Sequence, residues 1–273
     1  MCPNRLLGSM RLGRPKKAHV PTVEGPVILH SAEDFVGMRK AGKLAAKLLN
    51  YIQPFVSPGI ITEELDRLCH KFILKNGAIP APLGYKGYPK SVCTSVNQVV
   101  CHGIPGSLAL KDGDIINIDV TIILNGWHAD TSRTFLVGQV NDEARFLVKE
   151  TEAALSKAID LVAPGVFLGD IGHLIEKHAG QRGLSVVEDY CGHGIGKSFH
   201  TAPSVLHFGQ PKTGLRLRPG MFFTIEPMLN IGGHETELLS DGWTVLTKDR
   251  SLSAQFEHTV GVTESGVEIF TQL

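Results

Sequence analysis

Apolar positions along the chain follow two rhythms, helical spacing first and strand alternation after it. Ser31, with Asp34 three residues on, has the form of a capping box with Asp in place of Glu. Ala41, Leu44, Ala45, Leu48, Leu49 and Ile52 then recur on one helical face, and Pro54, Pro58 and Gly59 stop that helix. Thr62, Glu63 and Glu64 start a second helix, with Leu65, Leu68, Cys69, Phe72 and Ile73 on one face, and Asn76-Gly77 ends it. The succession then returns. Phe146, Leu147, Ala154, Leu155, Ala158, Ile159 and Val162 are spaced as a helix, Pro164-Gly165 interrupts, and a helix with Ile171, Leu174 and Ile175 ends near Gly183. Val56, Pro58, Gly59, Leu68, Lys71 and Gly77 match Val162, Pro164, Gly165, Leu174, Lys177 and Gly183 at one offset of 106 positions. The identities are few, but helix, breaker, helix and stop agree together. The pattern predicts two similar halves, roughly 30–140 and 141–273, each with helices followed by strands. No linker-like stretch divides them, so two halves of one fold are expected rather than two domains.

Strand alternation is strongest over residues 115–130. Asn125-Gly126 separates two β-prone runs and predicts a hairpin with Leu124 opposite Trp127 and Thr121 opposite Asp130. Asp119 lies two residues before Thr121, so Asp119 and Asp130 become diagonal neighbours on one face. Carboxylates about 4 Å apart repel by roughly 4 kcal/mol at an effective dielectric near 20. That is tolerated if one is protonated, if a basic side chain such as Arg133 intervenes, or if a metal sits between them. Two more acids stand in apolar, strand-like runs: Glu226 at the end of 221–227 and Glu257 within 253–260. A carboxylate in such a run is rarely buried unless paired. His193 lies in a Gly-rich loop, Gly192–Gly196. Four carboxylates and a neutral imidazole carry −4, which two divalent cations would cancel. Oxygen ligands with one nitrogen suit Mn, Fe(II), Co or Zn. Gly196-Lys197-Ser198 imitates the end of a phosphate loop, but position 191, where that motif needs glycine, is Cys.

Composition narrows the class. The chain is 42% hydrophobic and 20% charged, as a folded globular protein is, and no apolar run is long enough to span a bilayer. There are 27 Lys+Arg and 27 Asp+Glu, but residues 1–20 hold five basic groups and no acid. The remainder is therefore mildly acidic and is not expected to grip a specific nucleic acid. The basic segment, 1–29, reads as a flexible tail, with organelle targeting as the alternative. Five cysteines without a C-x-x-C pair argue against a disulfide framework and point to a reducing cytoplasm.

With these residues in place, the chain resembles the type I methionine aminopeptidases, whose fold is called pita-bread. The resemblance is carried by residues 83–93, 100–105 and 117–121, the Gly192–Gly196 loop, Phe199-His200, residues 224–228, 241–245 and 253–259. It implies an α/β (α+β) architecture of two pseudo-symmetric halves, helices covering a curved, largely antiparallel sheet, in one catalytic domain over 30–273. It implies that Asp119, Asp130, His193, Glu226 and Glu257 bind two divalent ions, with Asp130 and Glu257 bridging. A water shared by the ions would attack the first peptide bond, with Glu226 relaying its proton. His102 and His200 would act as non-ligand histidines on the scissile peptide group. Tyr85, Tyr88, Cys93, Phe199 and Trp243 would form the methionine pocket.

The implied activity is removal of the initiator methionine from new chains whose second residue is small. The implied partners are nascent N-termini and, transiently, the ribosome, for a cytoplasmic monomer. The chain departs from the bacterial pattern at Pro82, where many relatives have Cys. Two rivals share the fold. Xaa-Pro peptidases typically carry an extra N-terminal domain, for which the residues before the first helix are too few. Binding modules of this fold have lost metal ligands, whereas all five positions here hold acceptable ones.

Overall fold

The structure, a computed structural model, describes residues 25–273. Most of the basic tail expected over 1–29, and Cys2 with it, lies outside the described residues. The first half opens with α1 (Ala32–Ile52) and α2 (Thr62–Lys75). The capping box is formed: the Asp34 N–H donates to Ser31 Oγ (3.3 Å) and the Ser31 N–H to Asp34 Oδ2 (2.9 Å). The strands β1 (Ile79–Pro80), β2 (Cys93–Val96), β3 (Val99–Cys101), β4 (Ile115–Leu124) and β5 (Trp127–Leu136) follow. The second half repeats the opening with α3 (Asp142–Asp160) and α4 (Leu168–Gln181). The stops correspond as well: α2 ends before Gly77 (φ +70°) and α4 before Gly183 (φ +69°), both left-handed positions that glycine adopts without strain.

The later strands are short: β6 (Ser185–Val186), β7 (Gly192–Gly194), β8 (Thr201–Val205), β9 (Phe222–Ile225), β10 (Met228–Asn230), β11 (Thr236–Leu238) and β12 (Val245–Thr247), then β13 (Ser253–Gln255), β14 (Glu257–Val262) and β15 (Val267–Ile269). A nine-stranded sheet runs β1-β4-β5-β14-β9-β7-β8, with β2 also on β4 and β15 on β14. Every pairing in it is antiparallel. Two small sheets, β13-β10-β6 and β11-β12-β3, stand beside it.

The hairpin has the expected register, Leu124 opposite Trp127 and Thr121 opposite Asp130. Positive φ at Asn125 (51°) and Gly126 (81°) is what a two-residue primed turn requires. The halves join where β14 pairs with β5, Glu257 opposite Ser132 and His258 opposite Thr131. Each half has its own apolar cluster. Leu48, Ile52 and Leu65 pack with Ile116, Ile118 and Val120 in one, and Leu155, Ile159 and Ile171 with Phe223 and Ile225 in the other. Phe222 and Phe223 are core residues. Because Ile118 and Val120 face α1, Asp119 between them is turned to the opposite face.

One run that reads as a single strand is broken in space. The run 253–260 is divided at Phe256 into β13 and β14, which lie on different sheets. Glu226-Pro227 separates β9 from β10 in the same way, and β9 pairs with β14 while β10 pairs with β13. Glu226 and Glu257 thus stand together where two paired strands leave the large sheet for a small one. No helix among the described residues is long and apolar enough to cross a membrane.

Candidate active site

The face of the large sheet away from the helices opens into a cavity of about 310 Å³. All twelve expected site residues line it: Asp119, Asp130, His193, Glu226 and Glu257 on its floor; His102 and His200; and Tyr85, Tyr88, Cys93, Phe199 and Trp243. Ligand atoms of Asp130, His193 and Glu257 lie within 4.8 Å of one another. His193 Nε2 is 3.7 Å from Asp130 Oδ2 and 3.8 Å from Glu226 Oε1. Asp130 and Glu257 are only 5% and 2% exposed. Arg133, the basic group offered by the sequence as a partner for the hairpin acids, instead donates to Asn50 Oδ1.

Four of the five ligand candidates are held from behind. Thr121 Oγ1 donates to Asp130 Oδ1 (2.7 Å), and Thr259 Oγ1 donates to the Asp130 carbonyl (2.7 Å). Thr131 Oγ1 donates to the Glu257 carbonyl (2.7 Å). His193 Nδ1 faces the Gly194 carbonyl at 3.1 Å, so Nδ1 carries the proton and Nε2 keeps a free lone pair toward the acids. Thr224 Oγ1 accepts the His193 N–H (3.0 Å) and donates to Glu226 Oε1 (2.8 Å), tying the two residues together. Gln255 Nε2 approaches Glu226 Oε2 at 3.3 Å.

The Gly192–Gly194 segment is a strand, β7, rather than the loop expected from its composition. Its glycines serve close packing. A Cβ on Gly192 would meet the Thr224 carbonyl oxygen, and one on Gly194 the Ala202 carbonyl oxygen.

Electrostatics follow from crowding. Burial pushes Asp119 well above its ordinary value, and repulsion from Asp130 and Glu226 adds to it. Burial and the carboxylates of Asp130, Glu226 and Asp119 do the same to Glu257. Burial raises Glu226 to about 7, although His193 opposes the shift. Burial works against the charged form of His193, but the carboxylates of Asp130 and Glu226 more than offset it and raise its value. Burial lowers His102 to about 4 and His200 to about 2, so both are neutral near pH 7.

These features fit divalent cations. Asp119 Oδ1 is buried without a hydrogen-bond partner among the described residues. The acids outnumber the one basic neighbour, and hard oxygen donors converge with one imidazole nitrogen.

The cavity wall is aromatic. Tyr85 packs on Phe199 with ring centroids 4.9 Å apart and stacks on His200 at 5.3 Å, while Tyr88 meets Trp243 edge-on at 5.1 Å. Tyr88 Oη donates toward the Gly103 carbonyl (3.0 Å). Cys93 is paired with Asp119 across β2 and β4, which brings the apolar wall against the acids. Pro82 also lines the cavity.

Sequence reasoning passed over Thr224, Gln255, Tyr190 and Met228, of which the last three line the cavity. Thr224 and Gln255 were within reach of it, since each stands two positions before a singled-out acid and an unbroken strand would put both on one face.

The profile of metallopeptidase family M24 matches residues 36–264. A methionine aminopeptidase of Rickettsia prowazekii is 56% identical over 244 residues, covering 89% of this chain and 94% of that protein. A methionine aminopeptidase of Escherichia coli is 52% identical over 247 residues, covering 90% of this chain and 94% of that one. The crystal structure of the Rickettsia prowazekii methionine aminopeptidase superposes with a TM-score of 0.89 over 90% of this chain and all of that chain, at 55% identity. The curled antiparallel sheet with its helices is the pita-bread architecture of these proteins. With its fold, its crowded acids and its sequence all agreeing, this chain belongs to metallopeptidase family M24, among the methionine aminopeptidases.

Proposed function

We propose that this protein removes the N-terminal methionine from new chains whose second residue is small, and that the reaction depends on divalent metal. The observation that carries the reading is the buried Asp130–His193–Glu257 cluster opening into an aromatic cavity. Asp119, Asp130, His193, Glu226 and Glu257 would hold two divalent cations of the Mn, Fe(II), Co or Zn class, whose four positive charges match the four carboxylates. When bound, such ions polarise a carbonyl oxygen and lower the pKa of water toward neutrality.

The protein groups divide the remaining work. Tyr85, Tyr88, Cys93, Phe199 and Trp243 take the methionine side chain, with sulfur–aromatic contacts worth roughly 0.3–1.5 kcal/mol beyond burial. His102 and His200, kept neutral by burial, present an imidazole N–H to the carbonyl oxygen as charge develops on it. Glu226 takes up and releases a proton at Oε2, whose contact with Gln255 (3.3 Å) is longer than that of Oε1 with Thr224 (2.8 Å). The unit that works is the whole span 30–273, supported by a large sheet that runs through both halves. Its substrates emerge at the ribosome, so a transient encounter there, by a cytoplasmic monomer, completes the reading.

The test is release of methionine from Met-Ala-Ser by protein stripped of metal and then given Mn, Fe(II), Co or Zn. Activity is expected only after addition, ranking the metals, and Asp130→Asn is expected to abolish it. Folded protein that releases nothing with any metal sinks the proposal. Preference for Ala-Pro peptides would transfer the chain to the Xaa-Pro peptidases.

A further inference from the structure

His207 does not line the cavity; it lies behind Glu226 and has no part in the chemistry above. Its side chain is 0% exposed. Nε2 accepts the backbone N–H of Glu226 at 3.1 Å. A ring nitrogen that accepts cannot also carry the proton, so the neutral ring is protonated on Nδ1. Burial keeps the ring neutral, lowering it to about 3. Its Nδ1 is buried without a hydrogen-bond partner among the described residues, so the ring is less favourable here than a hydrocarbon of its size unless the bond at Nε2 matters.

That bond reaches a particular amide. β9 ends at Ile225, so Glu226 is the first residue beyond the strand. On its other side Pro227 confines Glu226 to extended backbone. The carboxylate is met by Thr224 at Oε1 and Gln255 at Oε2. His207 therefore supplies the backbone part of a hold whose side-chain part comes from two other residues. The loop that carries His207 is itself pinned. A Cβ on Gly172 of α4 would meet the carbonyl oxygens of Phe208 and Leu206, so the helix lies directly on this loop.

We propose that His207 is a positioning residue for Glu226, fixing its backbone where the strand ends and so the aim of its carboxylate into the metal site. The proposal rests on the metallopeptidase reading above. The test compares His207→Gln, which keeps an acceptor near the place of Nε2, with His207→Leu, which removes it at similar volume. Each metal-stripped variant is titrated with Mn(II) by calorimetry and then assayed on Met-Ala-Ser. His207→Leu is expected to bind Mn(II) about 10- to 100-fold more weakly and to lose a similar factor in kcat, with KM nearly unchanged. His207→Gln is expected to stay close to wild type in all three.

A wild-type titration for folded His207→Leu overturns the proposal. An equal loss in both variants also overturns it, because packing rather than the acceptor would then be at work. If His207→Leu does not fold, Gly172→Ala presses on the same loop from α4 and is expected to weaken Mn(II) binding with the same split between kcat and KM. An unchanged titration there overturns the proposal. Wild-type protein that binds Mn(II) yet releases no methionine overturns the functional reading instead, and the calorimetric comparison still decides the role of His207.

Discussion

Glu257 is sealed from water among other carboxylates, an arrangement that apolar packing alone would never favour. His102 and His200 stand at the same cavity, and burial strips both of charge near neutral pH. Their use is therefore hydrogen bonding, not charge. His102→Ala or His200→Ala is expected to lower kcat by about 10²–10³ on Met-Ala-Ser, the usual loss for an oxyanion donor. Mn(II) titration of each variant should stay near wild type. The pH–rate profile above pH 6 should carry no limb from either ring, because they titrate at about 4 and about 2. A profile of kcat against pH with a new limb near 6.5 on restoring either histidine would contradict this. At this scale the sequence was informative where a residue sits in a short motif, as at Phe199-His200. It was silent on His207, whose contact with Glu226 exists only after the loop beyond β8 folds back under α4.

Strands and helices differ in how much they tolerate. β7 lies between β8 and β9 with carbonyl oxygens where Cβ atoms would stand, so its glycines cannot be exchanged without moving His193. Gly194→Ala is expected to destabilise the fold by about 1–3 kcal/mol through overpacking and to weaken metal binding. Ser31→Ala, at the start of α1, should cost about 1 kcal/mol through the lost cap and leave kcat alone. Urea unfolding with the peptide assay separates the two, and a Gly194→Ala protein with wild-type activity would refute the first. The β4–β5 hairpin was legible to the residue because Asn-Gly and alternation both report a local pairing. β7 was not, since a strand of two glycines around a histidine has no alternation to read and borrows its order from neighbours distant in the chain. The break at Phe256 was hidden for a related reason: residues able to form strand continue on both sides of it.

The molecule as a whole couples metal to stability. Glu226 is raised from 4.5 to about 7 in the metal-free fold, and burial also pushes Asp119 and Glu257 well above their ordinary values. A folded state that keeps protons the unfolded chain has released loses stability as pH climbs from about 4.5 through 7 and beyond. Buried histidines with lowered values act in the opposite sense, but they contribute alike with and without metal. The difference in Tm between Mn(II)-loaded and metal-free protein is therefore expected to widen from pH 5 to pH 8. Melting curves over that range check it, and a constant difference would refute it. The repeat of helix, breaker and helix made two halves legible, whereas their junction was not, because β5 and β14 pair residues as far apart as Thr131 and His258. That junction has a consequence for synthesis. A ribosome delivers the chain from its N-terminus, so Asp119, Asp130, His193 and Glu226 all emerge before Glu257. Until β14 arrives, β5 and β9 lack the strand that joins them and the cluster lacks its most buried acid. Chains cut short before β14 are accordingly expected to be inert rather than half as active, and each copy to acquire its activity in one step once β14 has emerged.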